Sequence, residues 1–136
     1  MSWLLDTNTC IFAMKGHARV LERLREHDPS ELAVSTVTLA ELWFGAKKSK
    51  KPDATRRLVD AFLAPLAVLA FDRGGASRYA DVRHHLEQRG EPIGERDQLI
   101  ACTALAWDRT LVTSNVQEFR RVPSLRIVDW AAVPRR

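Results

Sequence analysis

"MSWLLDTN", residues 1–8, contains a short apolar run, Trp3-Leu4-Leu5, that stops at Asp6 and gives way to Thr7-Asn8. A run this short, bounded by turn formers, reads as a buried strand over 2–6 followed by a turn. Helical patterning follows at about 8–15 and again at 17–27. The cycle then repeats: "ELAVS" (31–35) is a second strand, and "TVTLAELWFGAKKS" (36–49) is a helix with Val37, Ala40, Glu41 and Phe44 near one face. Residues 54–66 suggest another helix and "AVLAFD" (67–72) a third strand. "ASRYADVRHHLEQRG" (76–90) is an amphipathic helix that Gly90 would close. "PIGERDQLIACTALA" (92–106) is apolar almost all round from Leu99, as in a buried helix. "TLVTSN" (110–115) is a strand and "LRIVDW" (125–130) a last edge strand. Such alternation specifies an α/β fold, a small, mostly parallel sheet flanked by helices on both faces (α/β/α).

The 136 residues, 46 % hydrophobic, suffice for one conventional core, and no linker, repeat or low-complexity tract divides them. The whole chain, 1–136, is therefore read as a single domain. A net charge of +4 tilts the surface toward polyanions. Cys10 and Cys102 form no CxxC or Cys/His cluster, so they read as small core residues rather than as a disulfide or zinc site. No segment approaches the roughly 20 apolar residues of a membrane span, and Asp6 interrupts the N-terminus before a signal-like region develops. The expectation is a soluble cytoplasmic protein with no membrane partner.

The informative residues are the carboxylates. Open α/β sheets form their sites outside the carboxyl ends of the strands. Asp6 closes the first strand and Asn115 closes "TLVTSN"; Glu41 lies in the first turns after the second strand, and Asp97 stands at the front of the apolar helix. One acidic pocket can thus gather Asp6, Glu41 and Asp97, with Asn115 and Glu118 at its margin. Each acid also has an ordinary structural reading. Asp6 can cap a helix or form an Asx turn, and Glu41 follows Thr38 at capping-box spacing. Asp97 can serve the helix dipole, and Glu118 can face solvent. Only their coincidence at one sheet edge argues for a site. Three carboxylates held together repel one another, and a divalent cation removes the conflict. With no Cys or His in the set, the donors favour a hard ion, Mg²⁺ or Mn²⁺, whose natural chemistry is hydrolysis of a phosphodiester.

Four stretches in order, "LLDTNTCIFAMKG", "STVTLAELWFGAKKS", "PIGERDQLIACTALA" and "LVTSNVQEFRRVPSLRIVDW", resemble the PIN-domain nucleases. Within them they resemble the VapC toxins of bacterial type II toxin–antitoxin pairs. The resemblance spans about residues 3–130 and points to the subgroup, also called MvpA, whose members cut initiator tRNA in the anticodon loop. It implies a PIN-like fold and a Mg²⁺-dependent site-specific endoribonuclease, with Mn²⁺ able to substitute. Asp6, Glu41 and Asp97 match the family's metal-binding acids. The fourth acidic position falls on Asn115, where an Asp often stands, and "GERD" departs from the apolar or aromatic pair expected before Asp97. The resemblance also implies a cognate VapB antitoxin, a homodimer and a higher toxin–antitoxin assembly on operator DNA.

Thr7 and Thr113 adjoin the acids and are candidates to hold their carboxylates or a water. Lys47 and Lys48 open the basic segment "KKSKKP" (47–52) on the helix that carries Glu41; with Arg96, Arg120 and Arg121 they are candidate RNA contacts. His84-His85 reads as part of a polar helix face, with Asp81 four residues before His85 as its partner. Trp43 and Phe44 read as core or subunit contacts. Two other classes stay open on the residues: a non-catalytic RNA- or protein-binding PIN domain, for which the neutral Asn115 is the hint, and a small-molecule phosphohydrolase using Asp6 as nucleophile. The second lacks the further acid such enzymes want two residues on, since that place is Asn8.

Overall fold

The computed structural model describes residues 1–133. Strands β1 (Trp3–Leu5), β2 (Leu32–Ser35), β3 (Ala67–Leu69), β4 (Thr110–Val112) and β5 (Ile127–Val128) are joined by seven α-helices among the described residues. Helices α1 (Thr7–Met14) and α2 (Ala18–Arg25), then a 3-10 turn at Pro29–Glu31, link β1 to β2; α3 (Thr36–Lys48) and α4 (Pro52–Leu63) lead to β3. Helices α5 (Arg73–Gln88) and α6 (Glu95–Ala106) precede β4, and the short α7 (Val116–Phe119) precedes β5.

The sheet order is β3-β2-β1-β4-β5 and every pairing is parallel, so the expected "mostly parallel" sheet is wholly so. Side chains alternate across each strand, and register sorts them into two layers. Leu4, Ala33 and Leu111 are in register and pack with Ile100, Ala101 and Leu86 from α5 and α6. Leu5, Val34 and Val112 point the other way, onto Cys10, Leu42, Val59 and Leu63 of α1, α3 and α4. Continuous apolar strands are needed because both faces are covered, which is why the strand segments carry no polar alternation.

Boundaries differ from the sequence reading at the sheet's carboxyl edge. The strand expected over 110–115 ends at Val112, and the last strand, expected over 125–130, is only Ile127–Val128. Polar residues there bond within turns instead: the Asn115 amide donates to the Thr113 hydroxyl (3.0 Å) and the Ala131 amide to Asp129 (2.9 Å). Gly90 does close α5. At φ +65° it is the left-handed residue after the cap, with its N–H on the Glu87 carbonyl and that of Glu91 on Leu86. Cys10 and Cys102 are buried and free, as expected. Phe44 is 59 % exposed, so it is not a core residue; its ring lies under the Lys48 ammonium at 4.9 Å. Among the described residues no ion pair joins Asp81 to His85, the partnership expected from their spacing. No helix of the described residues is long and apolar enough to cross a membrane.

Candidate active site

Strand order reverses at β1: the chain leaves it toward β2 and β3, then returns to its other side for β4 and β5. The crevice beyond the carboxyl ends of β1 and β4 is therefore the switch point at which α/β sheets bind ligands. Asp6 sits there directly after β1. It is both a buried acid and the N-cap of α1, its Oδ1 accepting from the Thr9 amide at 2.9 Å, so the capping and site readings are the same geometry. Burial raises its pKa; Thr113 and Thr9 hydrogen bonds pull the other way, and the Asp129 charge adds to the rise.

Glu41 comes from the second turn of α3. The capping box with Thr38 does not form, because Ser35 is the N-cap and accepts from the Thr38 amide at 3.0 Å. Glu41 is freed for the crevice, where the Thr7 hydroxyl donates to its Oε1 at 2.7 Å. Thr7 also lies 3.1 Å from the Thr38 hydroxyl, so α1 and α3 are tied at this point. The Arg96 guanidinium approaches Glu41 Oε2 at 3.5 Å while remaining 72 % exposed.

Asp97 lies in the first turn of α6, where the helix dipole favours a negative charge. Its pKa is nevertheless pushed up to about 6, first by burial and then by the Glu118 carboxyl beside it, with Asp6 and Glu41 adding repulsion. Glu118 therefore does not simply face solvent. Helix α7, too short to show a periodic pattern in the sequence, turns it inward, and the Asn115 side-chain amide donates to its Oε2 at 2.8 Å. One acid near the crevice was missed by the sequence reading. Asp129 follows β5 as Asp6 follows β1, so the strand-end rule that selected Asp6 would also have selected it.

The structure thus brings Asp6, Glu41 and Glu118 within electrostatic reach of Asp97, with Thr113, Thr7 and Asn115 as the hydrogen-bond partners of Asp6, Glu41 and Glu118. Among the described residues no three carboxylate, imidazole or thiol groups converge tightly enough to share an ion. The Glu118 carboxyl beside Asp97 favours the protonated form of Asp97, both by hydrogen bonding and by repelling its charge. The donor set is all oxygen, partly buried and over-supplied with negative charge, which fits a hard divalent cation and fits no soft one. Lys47 and Lys48 are exposed in the last turn of α3, whereas Arg120 and Arg121 lie away from the acids in a separate groove.

A PIN-domain family model matches residues 3–125. The tRNA(fMet)-specific endonuclease VapC of Salmonella typhimurium is 37 % identical over 130 residues, covering 96 % of this chain and 98 % of that protein. This chain belongs to the VapC family of PIN-domain proteins. Ribonuclease VapC2 of Rickettsia felis is 39 % identical, again across 96 % of this chain and 98 % of its own length. The crystal structure of VapBC2 from Rickettsia felis bound to a promoter DNA fragment superposes on this VapC-family fold with a TM-score of 0.90 at 37 % identity. That match covers 96 % of this chain and 99 % of the other. Ribonucleases of the PIN family depend in general on a divalent metal.

Proposed function

We propose that this chain is the toxin of a type II toxin–antitoxin pair and a Mg²⁺-dependent endoribonuclease that cuts a tRNA in the cytoplasm. The supporting observation is the set of four carboxylates at the sheet's switch point, in a chain whose full-length relatives include an initiator-tRNA endonuclease. Asp6, Glu41 and Asp97 would draw together to hold the cation, with Glu118 supplying the charge that Asn115 does not. Bound among them, a divalent ion offsets the negative charge that builds on a phosphodiester and lowers the pKa of water. The protein's own contribution is placement. The Thr9 amide and the Thr113 hydroxyl fix Asp6, Thr7 fixes Glu41, and Asn115 turns Glu118 toward Asp97. Lys47 and Lys48 meet the RNA backbone, and Arg96 exchanges Glu41 for a phosphate when RNA enters.

The same reading assigns a VapB antitoxin as partner, within a homodimer and a larger assembly. Beside Glu41 a cleft of about 740 Å³ runs between α1 and α3, with Ile11, Val37, Ala40 and Phe44 in its walls. An apolar antitoxin segment fills this cleft and places an arginine on the acids. An antitoxin lacking its C-terminal segment should then fail to inhibit; undiminished inhibition would remove the cleft from the partnership.

Incubation of total tRNA with the purified protein, with Mg²⁺ and with EDTA, tests the activity. One discrete product that needs the metal and is lost in Asp6→Ala and Asp97→Asn is the expected result. Correctly folded, antitoxin-free protein that binds RNA without cutting it under any metal would replace this reading with a non-catalytic PIN domain.

A further inference from the structure

A second groove, of about 620 Å³, lies on the far side of α7 from the acids. One wall is the end of α5, where the left-handed Gly90 turns the chain and leaves His85, Arg89 and Glu91 facing the groove. The other wall is α7 and the residues after it, with Gln117, Arg120 and Arg121. Gln117 of α7 and Arg120 and Arg121 of the turn that follows it line this groove, while Glu118 meets Asp97 on the other side, so this short segment separates two surfaces of opposite charge.

Three guanidinium groups stand against one carboxylate here. Arg89 is paired with Glu91 at 3.0 Å, and Arg121 donates to the Pro92 carbonyl at 3.1 Å. Arg120 is exposed and has no ion-pair partner among the described residues. The groove therefore carries net positive charge that its own structure does not neutralise. It also shares a wall with the acidic crevice. The Pro92 held by Arg121 is five residues before Asp97, which limits the separation of the two to about 18 Å at full chain extension.

We infer that this groove binds backbone phosphates of the RNA strand flanking the one that reaches the acids. The inference rests on the ribonuclease reading. A strand crossing α7 lays successive phosphates on Arg120 and Arg89 while the acids address a single linkage, with Gln117 and His85 as further hydrogen-bonding partners. Arg121 is a positioning residue, because its bond to Pro92 fixes the segment that leads into α6.

The test is tRNA binding by the Asp97→Asn protein at a series of salt concentrations, alone and with Arg89→Gln or Arg120→Gln added. Each added substitution is expected to weaken binding several-fold and to make the slope of log affinity against log salt shallower by about one, the signature of one lost phosphate contact. Arg121→Lys, which keeps the charge but not the fork, is expected to retain the slope while its circular dichroism shows an intact fold. Unchanged slopes in both glutamine variants, while the parent protein cleaves tRNA, would overturn the groove and leave the ribonuclease standing. A parent protein that neither binds nor cleaves RNA would remove both.

Discussion

Asp97 carries the energetic conflict of this molecule on one side chain. Its carboxyl is pushed up to about 6, from an ordinary 3.8, so the folded state holds a proton that the unfolded chain releases. Below about pH 4 both states are protonated and the group costs nothing. As pH rises through 4 to 6 the unfolded chain ionises first, and stability falls. Metal-free protein is therefore expected to lose stability across that window. Asp97→Asn should match the parent near pH 4 and exceed it at pH 7.5 in urea denaturation; equal stability at both would show that the acid is not strained. In activity the order reverses, with cleavage by Asp97→Asn reduced by about a hundredfold or more as transition-state charge stabilisation is lost. Thr7→Val tests orientation rather than charge. It removes the 2.7 Å donor to Glu41 and should lower activity by about tenfold, as other removals of a partner that orients a ligand do. Full activity in that variant would show that Glu41 needs no such support.

Among the elements, α5 and α7 do more for the site than their distance from it suggests. The turn at Gly90 ends α5 and sends the chain to Ile93 and Gly94, whose carbonyls accept from Gln98 of α6, the side chain to the first and the main chain to the second. A Cβ at position 90 would meet nothing within 4 Å, so any cost of substitution is conformational. Gly90→Ala is expected to destabilise by about 1–2 kcal/mol, the penalty of a left-handed L-residue, and to lower the urea midpoint without changing the slope. Stability at parental level would mean that the turn adopts another form. Helix α7 is too short to register as a periodic pattern, which is why the sequence placed Glu118 at the margin of the pocket without giving its orientation. Its orientation comes from the Asn115 amide and from the packing of buried Phe119 in the core.

At the scale of the whole molecule, a cation bound to acids from β1, α3 and α6 would join segments that lie far apart in sequence. Because the site exists only in the folded state, Mg²⁺ should stabilise the fold, by about 2.7 kcal/mol when present at a hundred times its dissociation constant. The measurement is the rise in Tm between EDTA and saturating Mg²⁺. The rise should vanish in Asp97→Asn, and an equal rise in that variant would place the ion elsewhere.

The alternation of short apolar strands with helices, the strand-end position of Asp6 and the apolar mount beneath Asp97 were all legible in the sequence. They follow from local periodicity and from the side-chain directions it dictates. The family was legible too, because its stretches run in order along the chain. Tertiary structure alone decided the rest. Whether Glu41 caps its helix or enters the crevice depended on Ser35 taking the cap. Whether Arg96 reaches Glu41 depended on α3 and α6 meeting, and the partnership of Asp97 with Glu118 depended on β4 returning beside β1. Hydrogen bonds and charge repulsion act over a few ångströms in space, and a linear sequence does not record which distant residues the sheet order brings within that range.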